Sequence, residues 1–191
     1  MEQLKTKILS LPIWVYVIGW LFYLYLFFQI LGFKADNSNN VILSGLYFVE
    51  FGIHEVSHMI VAFLPQIYVA IAGSFGEISF TLLILFATIK AKSYFASIFA
   101  GLWTMLAMNC VGIYMSDARA QLLPLAGPGD NVYHDWHFVF GQLDWLNYDG
   151  IIGGTVRGIG DAIGIAALIF GLVLIIIKIK QLLTNKSNAT I

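Results

Sequence analysis

Two histidines four residues apart, with a glutamate beside the first, stand out as residues able to do chemistry: His54-Glu55-Val56-Ser57-His58. They fall in an apolar run long enough to be a helix. At about 100° per residue the two imidazoles then lie about 40° apart and one turn apart in height, so both can reach one metal ion. Glu55 projects about 60° from His58 on the same flank, where a carboxylate meets a metal-bound water without ligating the metal itself. The pattern therefore predicts a zinc site, one ion per chain. The metal lowers the pKa of its water towards ~7 and polarises a scissile carbonyl, while Glu55 takes the proton and returns it to the leaving group. The bland alternative is a pair of polar residues hydrogen-bonding between helices.

Two histidines leave a catalytic zinc site one protein ligand short. The remaining candidates cluster in Gly129-Asp130-Asn-Val-Tyr-His134-Asp135-Trp136-His137, with Asp149 further on. His134 is the first choice as third ligand, with Asp135 or Asp130 orienting it or taking its place, then His137, and Asp149 as a further alternative. Glu50 lies one turn before His54 and is placed to support that ring or to ligate. Glu77 follows Ala72-Gly-Ser-Phe-Gly76, whose small residues allow a close helix approach that carries the carboxylate towards a neighbour. Asp117 and Arg119 read as an ion pair, or as a hold on the loop over the site. A solvated loop that only faces water is the competing reading of the 130–149 cluster.

The elements that must position these groups are set by composition. The chain has 191 residues, 59% hydrophobic and 11% charged, against about 25% charged in an ordinary soluble domain. An all-α, multi-pass membrane bundle is the expectation, as a single integral membrane domain over 1–191, with the lipid bilayer as its main partner. Five spans are expected, at Ile13–Phe33, Val41–Leu64, Ile67–Thr88, Tyr94–Met115 and Asp161–Ile179. A loop over 116–160 separates the last two and carries the third-ligand candidates. Within it His137–Leu146 suits a helix lying at the membrane interface. The lysines and arginines favour an amino terminus outside, and the plasma membrane of a bacterium or archaeon is the expected location.

Several classes are excluded. Ten Lys+Arg against eleven Asp+Glu give a net charge of -1, so no basic face exists to bind nucleic acid. One cysteine, Cys110, removes disulfides and cysteine zinc sites.

With His54, Glu55 and His58 as the matching residues, the second span resembles the membrane-embedded zinc metalloproteases of the site-two protease class. Ala72-Gly73-Ser74 with Glu77 is loosely similar to the small-residue segment that follows the motif there. The resemblance implies two histidine ligands, a glutamate base, a third ligand that is usually aspartate from a later span, and cleavage of transmembrane polypeptides. Asn147-Tyr148-Asp149-Gly150 keeps an Asp-Gly pair of the family's later motif but lacks its proline, which makes Asp149 a rival to the His134-Asp135 loop. A second enzyme reading is a membrane lipid or amide hydrolase similar to the alkaline ceramidases. A third reading is a transporter in which Glu50, His54, Glu55, His58 and Glu77 line a path for metal ions or protons. A homo-oligomer is compatible with each.

Overall fold

The computed structural model describes residues 11–33, 40–124 and 133–188. Helices follow in the order α1 Ile13–Leu31, α2 Val41–Ile60, α3 Gln66–Lys90, α4 Tyr94–Ser116, α5 Asp135–Gln142, a 3-10 turn Leu146–Tyr148, and α6 Asp149–Asn188. Among the described residues there is no strand. Pro12 and Pro65 stand immediately before α1 and α3. There the missing N–H costs nothing, because the first amides of a helix have no intrahelical acceptor. Asn40 starts α2, its side-chain oxygen accepting from the amides of Ile42 at 3.1 Å and Leu43 at 3.2 Å.

Four of these helices, α1, α3, α4 and α6, are long and apolar enough to cross a membrane. Helix α2 is 20 residues long but is not among them. Glu50, His54, Glu55 and His58 dilute its apolar character, so the expected count of five falls to four by length and composition. The large apolar side chains left exposed along these helices, such as Phe28, Phe48, Phe86 and Ile169, suit a lipid surrounding.

Helix α4 is the axis of the bundle and the most buried of the four. It packs against α6 along nearly its whole length, against α3 on another side, and more narrowly against α1 and α2. Glycines make the α4–α6 seam. A Cβ on Gly101 would come within 2.8 Å of Ala167, and one on Gly160 within 2.8 Å of Met108. Polar groups fasten the same seam, where Asn109 Nδ2 donates to Asp161 Oδ1 at 2.9 Å and Arg157 Nε donates to Asn109 Oδ1 at 3.4 Å. Helix α1 is tied on by the Trp20 indole, donating to Leu168 O at 2.9 Å, and by the Tyr23 hydroxyl, donating to Phe95 O at 3.0 Å.

The segment expected as a loop over 116–160 is helical in two places. The last helix starts at Asp149, twelve residues before the expected start at 161, and runs to Asn188 rather than 179. At 40 residues it is about 60 Å long, roughly twice the hydrocarbon thickness. Its glycine-rich start mimics a loop in sequence, but Gly153 and Gly160 face α4 and permit the close approach. The short helix spans Asp135–Gln142 instead of His137–Leu146. It stops because Asp144 takes a positive φ of 57° and the Trp145 amide donates back to Phe140 O at 2.7 Å.

Candidate metal centre

The site forms where the second half of α2, the first half of α3, the end of α4 and the start of α5 meet. Close contact between α2 and α3 depends on two glycines. A Cβ on Gly73 would lie 2.6 Å from both Cδ2 and Cε1 of the His54 ring, and one on Gly76 would lie 2.8 Å from Ser57 Cβ. The His54 and Ser57 side chains fill the space that those glycines leave.

Each imidazole is held through Nδ1. His54 Nδ1 hydrogen-bonds to the Glu77 carboxylate on α3. His58 Nδ1 is 2.7 Å from the carbonyl oxygen of Val69, also on α3. A carbonyl oxygen only accepts, so His58 carries its proton on Nδ1, and an ionised Glu77 imposes the same tautomer on His54. A neutral ring in that tautomer presents a lone pair at Nε2, and an imidazolium donates from it. Both Nε2 atoms point at one atom, Asp135 Oδ2, at 3.1 Å from His54 and 3.3 Å from His58. Ligand atoms of His54, His58 and Asp135 all lie within 4.8 Å of one another, so this group can hold a metal ion.

Asp135 reaches this point because α5 is docked firmly. Trp136 Nε1 donates to Ser74 Oγ at 3.0 Å, while Trp136, Val139 and Phe140 bury themselves against Ala70, Val111 and Met115. Burial alone would raise the Asp135 carboxyl, but Nε2–H donation and positive charge from the His54 and His58 rings outweigh that and hold it below the ordinary aspartate range. It is therefore ionised near neutrality.

Asp135, and not the first-choice His134, thus meets the two histidines. His134 is the N-cap of α5, its Nδ1 accepting from the His137 amide at 3.2 Å. Its ring stacks on Tyr114 with centroids 4.2 Å apart, and its Nε2 faces Asp117 Oδ2 at 3.6 Å. Burial pushes the His134 imidazole down, against the carboxylates of Asp117 and Asp135. His137 turns away to Ala118 O at 2.8 Å and the Gln121 side chain at 2.9 Å. Asp149 is buried at the start of α6, accepting from the Arg119 amide at 3.2 Å and pairing with the Arg119 guanidinium at 3.5 Å. Arg119 therefore pairs with Asp149, while Asp117 accepts from the amides of Leu122 and Leu123 at 2.9 Å. Asp130 lies outside the described residues.

Glu55, next to His54 in the chain, is half-buried on α2. Glu50 is sealed completely, 0% exposed, with Trp103 and Glu77 in its surroundings. Neither carboxylate oxygen of Glu50 has a hydrogen-bond partner among the described residues. It does not join the histidines. Sequence reasoning did not single out Tyr114, whose hydroxyl meets both the amide and the carboxylate of Asp135. One aromatic among the many in these apolar runs carries no signal of its own. The Val69 carbonyl was equally invisible, because backbone atoms leave no trace in residue types.

Comparison with family models, with curated proteins and with solved structures finds no match. The functional reading rests on the geometry of the centre.

Proposed function

We propose that the protein is a multi-pass membrane metallohydrolase, with one zinc ion held by His54, His58 and Asp135 and with Glu55 as general base. The observation that carries this reading is the convergence of three electron-pair donors. Two imidazoles, each held through Nδ1, and one carboxylate oxygen direct Nε2 and Oδ2 into the same small volume. That convergence calls for positive charge between the groups, which a metal ion supplies in place of the Nε2 protons. Two histidines and one carboxylate are a ligand set that zinc takes in hydrolases, with the fourth position open for water.

When bound, the metal supplies an activated water and polarises the substrate carbonyl. The chain's own residues do the rest. Glu77 and Val69 fix the ring orientations, Asp135 brings negative charge from a separate segment, and Glu55 takes a proton from water at the flank of α2. The resemblance of His54-Glu55-Val56-Ser57-His58 to the site-two protease class supports a membrane-associated polypeptide as substrate, cleaved at a peptide bond. Helices α1, α3, α4 and α6 anchor the chain in the bilayer, with the site-bearing α2 as a fifth membrane-embedded segment.

The test uses full-length protein reconstituted in liposomes, wild type beside Glu55→Gln, given a labelled transmembrane peptide or a ceramide-like lipid. Peptide cleavage by the wild type, lost in Glu55→Gln with about one zinc per chain retained, is the expected result. Cleavage of the lipid alone would replace peptidase by lipid amidase. Undiminished turnover in Glu55→Gln would remove Glu55 as the base.

A further inference from the structure

We infer that Tyr114 is the positioning residue that delivers the third ligand, acting as a two-point hold on Asp135. This rests on the metal reading above and adds what makes the centre complete. His54 and His58 sit on one helix and need no outside help to stay together. Asp135 arrives from a different part of the chain, after 18 residues that separate it from the end of α4 at Ser116, and ordering such a connection costs entropy.

Tyr114 meets that cost from the last turn of α4. Its hydroxyl oxygen accepts from the Asp135 amide at 2.9 Å. The same hydroxyl donates to Asp135 Oδ2 at 3.3 Å, the oxygen that faces both Nε2 atoms. One phenol thus fixes both the backbone and the side chain of the ligand, and with them the direction in which Oδ2 points. The ring does a second job. It stacks on His134 at 4.2 Å with 28° between planes, and it lies edge-on to His54 at 6.1 Å. Tyr114 therefore touches the α2 ligand and the α5 ligand at once, which the neighbouring Tyr133, 79% exposed, does not. Hydrogen bonds of this kind behind a ligand commonly change metal affinity by about 10–100-fold.

Co2+ titration of the detergent-purified full chain reads this directly, since its visible bands report the number and geometry of ligands. Tyr114→Phe keeps the ring on His134 and removes both hydrogen bonds. Expected are Co2+ binding about 10–100-fold weaker than wild type and altered visible bands, with Tyr133→Phe unchanged in both. Equal affinity and bands in Tyr114→Phe would overturn the inference and leave the metal reading standing. Hydrogen exchange in the wild type gives a readout that needs neither variant nor metal. The Asp135 amide should be protected, and fast exchange there overturns the hold. Failure of the wild type to bind Co2+ or Zn2+ overturns the metal reading and this inference with it.

Discussion

Gly73 lies directly beneath the His54 ring, so that a single methyl group at position 73 would stand 2.6 Å from two of the imidazole carbons. The ring cannot yield without giving up either Glu77 on its Nδ1 side or Asp135 on its Nε2 side. Gly73→Ala should therefore weaken zinc binding by at least about tenfold while the helices persist, since alanine is the better helix former. Gly52, on the same helix as His54, has open space where a Cβ would stand, with nothing within 4 Å. Gly52→Ala should leave zinc affinity unchanged, and isothermal titration of both variants makes the comparison. Equal affinity in the two would show that His54 is not confined by α3.

Glu77 decides which nitrogen of His54 is free. Glu77→Gln can still accept the Nδ1 proton through its amide oxygen, but it surrenders the negative charge that makes the ring a stronger donor to a metal. Zinc affinity should fall by about tenfold in Glu77→Gln and by about a hundredfold in Glu77→Ala, where the ring is also free to turn. Competition with a chromophoric chelator measures both. Tighter binding in Glu77→Gln than in the wild type would mean that the charge of Glu77 opposes metal binding rather than supporting it.

The part of this site that is readable from sequence is the part that one helix encodes. His54 and His58 share a face because of helical periodicity alone, and Gly73, Gly76 and Glu77 follow the same logic on the next helix. The choice between His134 and Asp135 is of another kind. The two are adjacent, and the chain passes from an extended conformation at His134, φ -79° and ψ 107°, into the first helical position at Asp135. Side chains on either side of such a transition diverge, and which one faces α2 depends on how Trp136 and Phe140 dock α5. Residue types do not record that docking. The start of α6 was hidden for a related reason. Gly150, Gly153, Gly154, Gly158 and Gly160 lower helix propensity, and only packing against α4 reveals that Gly153 and Gly160 belong to a seam.

That one-residue distinction can be measured. Asp135→Asn removes the charged oxygen that meets both imidazoles and should abolish stoichiometric zinc, as elemental analysis would show. His134→Ala should keep about one zinc per chain, because its Nε2 faces Asp117 and not the histidines of α2. Its effect should be on stability instead, about 0.5–2 kcal/mol from the lost cap at the start of α5. Zinc lost from His134→Ala but retained in Asp135→Asn would reverse the assignment.

Gly153 and Gly154 are neighbours on α6 with opposite surroundings, and they test whether the α4–α6 seam holds the bundle together. A Cβ on Gly153 would lie 2.8 Å from the Ser116 amide and would collide with the carbonyl of Gly112, both on α4. These are backbone atoms, so relief requires the two helices to separate. A Cβ on Gly154 meets nothing within 4 Å. Both substitutions to alanine gain the same helix propensity, about 0.5–1 kcal/mol. Gly154→Ala should therefore raise the unfolding midpoint in detergent slightly. Gly153→Ala should lower it, because overpacking costs about 1–3 kcal/mol and exceeds the gain. The loss should extend to the metal centre, since the Asp149–Arg119 contact beside Gly153 joins the start of α6 to the end of α4, one turn beyond Tyr114. If both variants were stabilised alike, the close approach of α4 and α6 would not contribute to stability.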